Sequence, residues 1–134
     1  MGEFSLPIKV YIEDTDAGGI VYHANYLKFM ERSRTEYLAT FGFDKPATLD
    51  DGLLLVVHSM NIEFRSAARL GDMLQATTEV LSAKRSYVIF EQQVRHNQQL
   101  LCRAEVKIAC VHAESMKPTA MPEVMQKSLK SAQH

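Results

Sequence analysis

The clearest hydrophobic pattern in the chain lies between residues 26 and 43, where apolar side chains recur every three or four residues. This is the spacing of one buried helical stripe. The stripe consists of Tyr26, Phe29, Met30, Tyr37 and Phe41, flanked by Leu27 and Leu38. Asn25 precedes it as a candidate N-cap, and Gly42 follows it as a candidate left-handed stop. A break at Ser33 and Arg34 leaves two alternatives: these residues face a ligand or partner subunit, or they lie at the solvent edge.

Outside this helix the period changes to two, which is typical of strands with one buried face. A first strand is predicted over Leu6–Ile12, and four longer ones follow the helix. The predicted long strands run from Val56 to Arg65, Leu74 to Val80, Tyr87 to Val94 and Leu100 to Cys110. In the strand that ends at Arg65, the face assigned to the core comprises Val56, His58, Met60, Ile62 and Phe64. We expect His58 to be a hydrogen-bonded core or interface residue, a loop over residues 44–52, and a terminal helix over Glu123–Lys130.

The order of these elements is β-α-β-β-β-β with a terminal helix. Four long strands joined by short turns form an antiparallel meander, and the long helix must cover its apolar face. The sequence therefore predicts an α+β fold in which a curved antiparallel sheet of about five strands wraps around one long helix. Residues 1–134 are taken as one domain. A ferredoxin-like order is the main rival, but it needs a second helix between the late strands, where none is predicted.

Composition excludes several classes of function. The chain has 134 residues, 46% of them hydrophobic, and a net charge of −1, so it lacks the basic character that nucleic-acid binding requires. It contains no apolar run of about 20 residues and no secretory signal pattern, so we expect a cytoplasmic protein.

Cys102 and Cys110 are predicted on one strand about 26 Å apart, too far for a disulfide. Both are expected to be buried apolar residues.

Groups that can carry out chemistry are concentrated between the first strand and the helix. Asp14 and Asp16 end the strand, Gly18 and Gly19 allow close backbone approach, and His23 precedes the helix. The first N–H groups of a helix are unpaired and can hydrogen-bond a developing oxyanion, while a carboxylate can act as nucleophile or general base. This combination suits acyl transfer to water. For either Asp alone, capping of a turn or helix is the simpler interpretation. No set of residues has metal-ligand spacing, so no metal is expected.

The segment from Tyr11, with its DTDAGGIVYHANYLKFMERSRTEYL, and the later FRSAARLGD closely resemble hot-dog-fold acyl-CoA thioesterases of the 4-hydroxybenzoyl-CoA thioesterase type. The nearest branch is the bacterial Tol-Pal-associated thioesterase. The resemblance implies a homodimer or homotetramer with active sites between subunits. It also implies that Asp16 is the catalytic nucleophile or base and that the backbone N–H of His23 holds the thioester oxygen. Gly19 and Tyr22 are assigned to substrate binding, and Asp14 to a supporting role.

The resemblance also suggests a substrate. His23 is typical of the Tol-Pal branch, whereas the hydroxybenzoyl branch has Tyr there, which favours short- to medium-chain or other aliphatic acyl groups. Coenzyme A is part of the substrate, no separate cofactor is expected, and acyl carrier protein is an alternative carrier. Because the chain is mildly acidic, the phosphates of coenzyme A require a local cationic cluster, for which Lys84, Arg85 and Ser86 are the candidates.

Two other functions stay open from the sequence. A hydratase or dehydratase of 3-hydroxyacyl thioesters would share the fold, but it uses a different Asp/Glu–His arrangement that we do not find. A non-enzymatic module that binds acyl thioesters or acyl carrier protein would bind ligand tightly and release no thiol.

Overall fold

The structure, a computed structural model, describes residues 3–45, 48–49 and 52–133. Its strands are β1 (Phe4–Lys9), β2 (Thr48–Leu49), β3 (Leu53–Phe64), β4 (Met73–Ala83), β5 (Tyr87–His96) and β6 (Gln99–His112), and its α-helices are α1 (Asn25–Ala39) and α2 (Glu123–Ala132). The strands form one sheet in the order β1-β4-β5-β6-β3-β2 with antiparallel pairing throughout. Helix α1 packs against β1, β4 and β5. The predicted antiparallel sheet around one long helix is confirmed, with β2 as an unpredicted short strand.

The hydrophobic core lies between α1 and the inner face of the sheet. Phe29 and Met30 are fully buried on the helix, and Leu74 and Phe90 are fully buried on β4 and β5. The ring of Tyr37 meets Phe90 edge-on at 6.1 Å between centroids. The apolar stripe predicted from the sequence is therefore the buried face of the helix. None of the described helices is long and apolar enough to span a membrane.

A buried polar network joins the middle of α1 to the sheet. Ser33 Oγ donates to the carbonyl of Ala76 at 2.8 Å and is hydrogen-bonded to Thr78 Oγ1 at 2.7 Å. Arg34 Nη1 donates to Gln92 Oε1 at 3.0 Å. Ser33 is fully buried and Arg34 is only 8% exposed. The solvent-edge alternative is therefore wrong for both residues, because the break in the apolar stripe is filled by hydrogen bonds to β4 and β5.

A β-bulge in β3 changes which residues face the core. The pairing register with β6 shifts between Val57 and Ser59, so His58 is an extra residue without an opposite partner. Val57 and Met60 both oppose buried positions of β6. The prediction that Val56 and His58 share a face with Met60 is therefore wrong. His58 is exposed, with its Nδ1 3.2 Å from Ser59 Oγ, and does not belong to the core of the chain.

The predicted ends of the other elements are partly corrected. Strand β1 ends at Lys9, not Ile12, because residues 12–14 form a 3₁₀ turn after Tyr11. Helix α2 extends two residues beyond the predicted Lys130. In the predicted loop over residues 44–52, positions 46, 47, 50 and 51 lie outside the described residues, and Thr48–Leu49 pairs with the start of β3.

The two cysteines are as expected. Cys102 and Cys110 are free and buried. Burial raises the pKa of the Cys102 thiol to about 12 and also raises the pKa of the Cys110 thiol. Both thiols are therefore protonated fillers of the core at neutral pH.

The end of α1 is stabilised by Gly42, which has φ of 94°. Its N–H donates to the carbonyl of Ala39 at 2.9 Å, and the N–H of Phe43 donates to the carbonyl of Leu38 at 3.2 Å. These are the two hydrogen bonds of a Schellman motif. The predicted left-handed stop at Gly42 is confirmed.

We expect Gly42→Ala to lower the free energy of unfolding by about 1–2 kcal/mol, because a Cβ is unfavourable in the left-handed conformation. Urea unfolding followed by circular dichroism measures this change. Gly42→Asn is the matched control and should lose less, because Asn tolerates positive φ. Equal stability of wild type and the Ala variant would contradict the role given to Gly42.

Candidate active site

Asp16 lies at the tip of a tight loop between β1 and α1. Thr15 and Val21 form an antiparallel bridge at its base. The N–H of Asp16 donates to the carbonyl of Ile20 at 2.9 Å, and the N–H of Gly19 donates to the carbonyl of Asp16 at 3.1 Å. Gly19 has φ of 77°, a conformation that favours glycine. The glycine pair therefore closes the turn that presents Asp16.

The Asp16 carboxylate is held by one oxygen only. Its Oδ1 accepts a hydrogen bond from the N–H of Gly18 at 2.9 Å. Its Oδ2 has no hydrogen-bond partner among residues 3–45, 48–49 and 52–133, and the side chain is exposed. One oxygen thus fixes the orientation of the group, while the other is available to a reactant.

Asp14 makes structural hydrogen bonds within the same loop. Its Oδ2 accepts the N–H of Tyr11 at 2.9 Å, which closes the 3₁₀ turn. Its backbone carbonyl accepts the N–H of Tyr22 at 3.0 Å and the Nδ2 of Asn25 at 2.9 Å. Asn25 is therefore not the N-cap: Ala24 occupies that position, already in a helical conformation, without a side-chain cap. Asn25 instead ties the helix start to the segment that leads to Asp16.

The start of α1 presents unpaired backbone donors. The N–H groups of Asn25 and Tyr26 donate to the carbonyls of Tyr22 and His23. In the described part of the chain, no acceptor is bonded to the N–H of His23 or of Ala24. Such donors at a helix start carry partial positive charge. Two adjacent unpaired N–H groups of this kind are able to stabilise an oxyanion.

The His23 side chain lies in an aromatic cluster beside these donors. Its ring centroid is 4.6 Å from that of Tyr22 and 5.9 Å from that of Phe64. Phe64 is 47% exposed and also contacts Tyr26 at 5.8 Å between centroids. A cleft of about 260 Å³ is lined by His23, Tyr26, Phe64 and residues 20–21 and 65–67. Tyr22 is exposed beside His23 and does not line the cleft.

The segment after Phe64 is fixed to the helix start through Ala68. The Tyr26 hydroxyl oxygen accepts the N–H of Ala68 at 2.9 Å, and the N–H of Val21 donates to the carbonyl of Ala68. Burial raises the pKa of the Tyr26 phenol. Sequence reasoning missed the site contacts of Phe64, Tyr26 and Asn25. For Tyr26 a signal was available, because the hydroxyl group of a tyrosine on the buried face of a helix needs a hydrogen-bond partner.

Arg85 and Ser86 lie away from Asp16 in the same chain. They follow the Ala83 end of β4, whereas the chain leaves β1 for Asp16 beside the Met73 end. Strand β4 has eleven residues and therefore spans about 33 Å. Arg85 is exposed, and the carbonyl of Ser86 accepts the N–H of Cys110 at 2.8 Å. Asp16, Gly19, Tyr22 and His23 lie in one segment of eight residues before α1, whereas Arg85 and Ser86 lie at the other end of β4.

Residues 10–129 match the family model described as thioesterase-like superfamily. The chain belongs to this superfamily. The acyl-CoA thioesterase YbgC of Haemophilus influenzae is 47% identical over 132 residues, which cover 98% of this chain and 94% of that protein. The acyl-CoA thioester hydrolase YbgC of Escherichia coli O6:H1 is 43% identical over 121 residues, or 90% of each chain.

Solved structures agree with this assignment. A probable thioesterase from Bartonella henselae is 35% identical, with a TM-score of 0.79 over 90% of this chain and 98% of its own. A 1,4-dihydroxy-2-naphthoyl-CoA thioesterase from Synechocystis is 23% identical and shows the fold alone, with a TM-score of 0.88 over 99% of each chain. The hot-dog fold and the thioesterase family expected from the sequence motifs are confirmed.

We expect Asn25→Ala to lower kcat/KM for thioester hydrolysis by about 10- to 100-fold, because small displacements of a catalytic group cost about that much. Thiol release from an acyl-CoA measures the change. Lys28→Ala, at an exposed position of α1, is the control and should retain activity. Wild-type turnover in a folded Asn25→Ala variant would show that the contact with Asp14 does not position Asp16.

Proposed function

We propose that this protein hydrolyses acyl-CoA thioesters with Asp16 as nucleophile or general base and the start of α1 as the oxyanion hole. The observation that carries the proposal is an exposed carboxylate with one free oxygen in the loop that leads into a helix start with two unpaired N–H groups. Membership of the thioesterase-like superfamily and 43–47% identity to acyl-CoA thioester hydrolases support the reaction type.

Both roles of Asp16 use the same geometry. As a nucleophile, the carboxylate attacks the thioester carbonyl, and the N–H of His23 holds the oxyanion of the tetrahedral intermediate. This intermediate expels coenzyme A thiolate and leaves an anhydride between the acyl group and Asp16, which water hydrolyses to the free acid and the free carboxylate. As a general base, Asp16 takes a proton from the water that attacks the carbonyl. The exposed His23 side chain, which contacts the rings of Tyr22 and Phe64, is assigned the protonation of the leaving thiolate.

The substrate assignments rest on the resemblance to the Tol-Pal branch and on the local cations near the end of β4. Short- to medium-chain or other aliphatic acyl groups are the proposed substrates, with Gly19 and Tyr22 beside the thioester and Arg85 and Ser86 at the phosphates of coenzyme A. Coenzyme A belongs to the substrate, and no separate cofactor or metal is assigned. Acyl carrier protein as the carrier and a cytoplasmic location stay predictions.

A second copy of the chain completes the proposed site. In the described part of the chain, β2 covers only Leu53 and Leu54, so the edge of β3 from Ser59 to Phe64 has no paired strand. An unpaired edge of this length favours strand addition. Antiparallel pairing of two β3 edges about a two-fold axis would place the Arg85 end of one chain beside the Asp16 end of the other. We therefore assign a homodimer, or a homotetramer built from it.

We expect Asp16→Asn to lower kcat about 10²- to 10⁴-fold while KM changes little, because the amide neither attacks nor accepts the proton. Thiol release across a panel of acyl-CoA chain lengths measures both constants. Glu13→Gln, which removes an exposed carboxylate of the same loop, should behave as wild type. Unchanged turnover in Asp16→Asn would remove Asp16 from the mechanism, and binding without thiol release by wild type would favour a binding module.

We expect wild type to have at least twice the 15.2 kDa mass of one chain in solution. The double variant Ser59→Lys with Asn61→Lys should be a monomer, because it places like charges along both paired edges. Light scattering after size exclusion measures the mass. Glu114→Lys makes the same net charge change in an exposed turn and should leave the oligomer intact. A monomeric wild type, or a double variant that still forms the oligomer, would exclude the β3 interface.

A further inference from the structure

A second cleft, about 330 Å³ in volume, opens between the C-terminal half of α1 and strands β3, β5 and β6. Its apolar walls are Leu38, Leu55, Val57, Phe90 and Ile108. None of the residues assigned to the active site lines it in the same chain. A volume of this size and a mostly apolar lining are typical of small-molecule sites.

One buried cation lines this apolar cleft. Arg34 is 8% exposed, and its Nη1 donates a hydrogen bond to the neutral amide of Gln92 at 3.0 Å. Among residues 3–45, 48–49 and 52–133, no carboxylate oxygen lies within 4.0 Å of its guanidinium. Burial lowers the pKa of Arg34, and the charge of Glu31 opposes that shift. A buried guanidinium without an anionic partner is unfavourable by itself.

The rim of the cleft does not supply the missing anion. Glu31, Asp44 and Lys45 line the cleft but are exposed, so water and salt screen their charges. Guanidinium groups bind carboxylates through two parallel hydrogen bonds, and a neutral partner on one side leaves other N–H groups available. We propose that this cleft binds a carboxylate carried on a short aliphatic chain, with Arg34 holding the carboxylate and the apolar walls holding the chain.

Two sources share this chemistry. One is a free carboxylic acid, the class of product that thioester hydrolysis releases. The other is the far end of an acyl group that itself carries a carboxylate; this source rests on the proposed function, because paired β3 edges would bring the cleft of one copy towards the Asp16 end of the other. Binding of the free acid to the cleft does not depend on catalysis.

Nuclear magnetic resonance titration of the full chain with hexanoate, and with 1-hexanol as the uncharged probe, tests the site. Hexanoate should bind wild type more tightly than hexanol. Arg34→Met should weaken hexanoate binding at least about tenfold and leave hexanol binding similar, because only the charged hydrogen bonds are lost. Lys45→Met removes an exposed cation from the same cleft and should have little effect.

Val57→Phe keeps the proposal testable if Arg34→Met does not fold. Val57 is 50% exposed at the cleft, so a larger side chain can fill the space without removing the bond between Arg34 and Gln92. It should also weaken hexanoate binding. Equal binding of hexanoate and hexanol, or unchanged hexanoate binding in a folded Arg34→Met or Val57→Phe variant, would overturn the proposal.

Hydrolysis assays separate the two sources. If Arg34→Met hydrolyses adipoyl-CoA more slowly than wild type but retains hydrolysis of hexanoyl-CoA, the carboxylate belongs to the acyl group of the substrate. An unchanged ratio, together with lost hexanoate binding, assigns the site to free acid. If no acyl-CoA is hydrolysed by wild type but hexanoate binds through Arg34, the proposed function fails and the carboxylate site stands.

Discussion

The arrangement of the site depends on one backbone carbonyl, that of Asp14. It accepts the N–H of Tyr22 and the side-chain amide of Asn25, at 3.0 and 2.9 Å. The loop that carries Asp16 therefore cannot move relative to the helix start without breaking both hydrogen bonds. Because the proposed oxyanion donors belong to that helix start, the same carbonyl joins them to the loop that carries the Asp16 carboxylate. Preorganised donors of this kind need no rearrangement when charge develops in a transition state.

The helix is in turn fixed to the sheet by polar contacts in its middle. Apolar packing around Phe29 and Met30 stabilises the helix but is non-directional. The hydrogen bonds of Ser33 and Arg34 to β4 and β5 specify one position along the sheet, since a shifted helix would leave buried polar groups unpaired. This contact does not require a charged group, because a neutral donor would also satisfy the side-chain oxygen of Gln92. The charge of Arg34 therefore exceeds what its contact with Gln92 requires, and it is the basis of the proposed carboxylate site.

Local patterns predicted what depends on neighbours in sequence. The stripe of α1, the stop at Gly42 and the turn around Asp16 follow from periodicity and glycine chemistry, and all agree with the structure. The bulge at His58 could not be predicted, because the period of two continues unchanged through the sequence of β3. The pairing of β3 with β6 nevertheless shifts by one residue there. Asn25 was misassigned as a cap because its partner, the carbonyl of Asp14, lies eleven residues away. The contacts of Phe64 with His23 likewise require tertiary structure.

The length of the sheet imposes the last constraint. In the proposed mechanism a coenzyme A thioester meets Asp16 at one end of the sheet, while Arg85 lies at the other end, about one strand length away. Strand β3 runs from the Arg85 end, where its neighbour β6 pairs with Tyr87, to the Asp16 end, where Phe64 contacts His23. Two such strands can pair antiparallel only by placing opposite ends together. The proposed pairing of β3 edges, which have no partner strand in the described part of the chain, would therefore give each proposed active site the Arg85 end of the other copy.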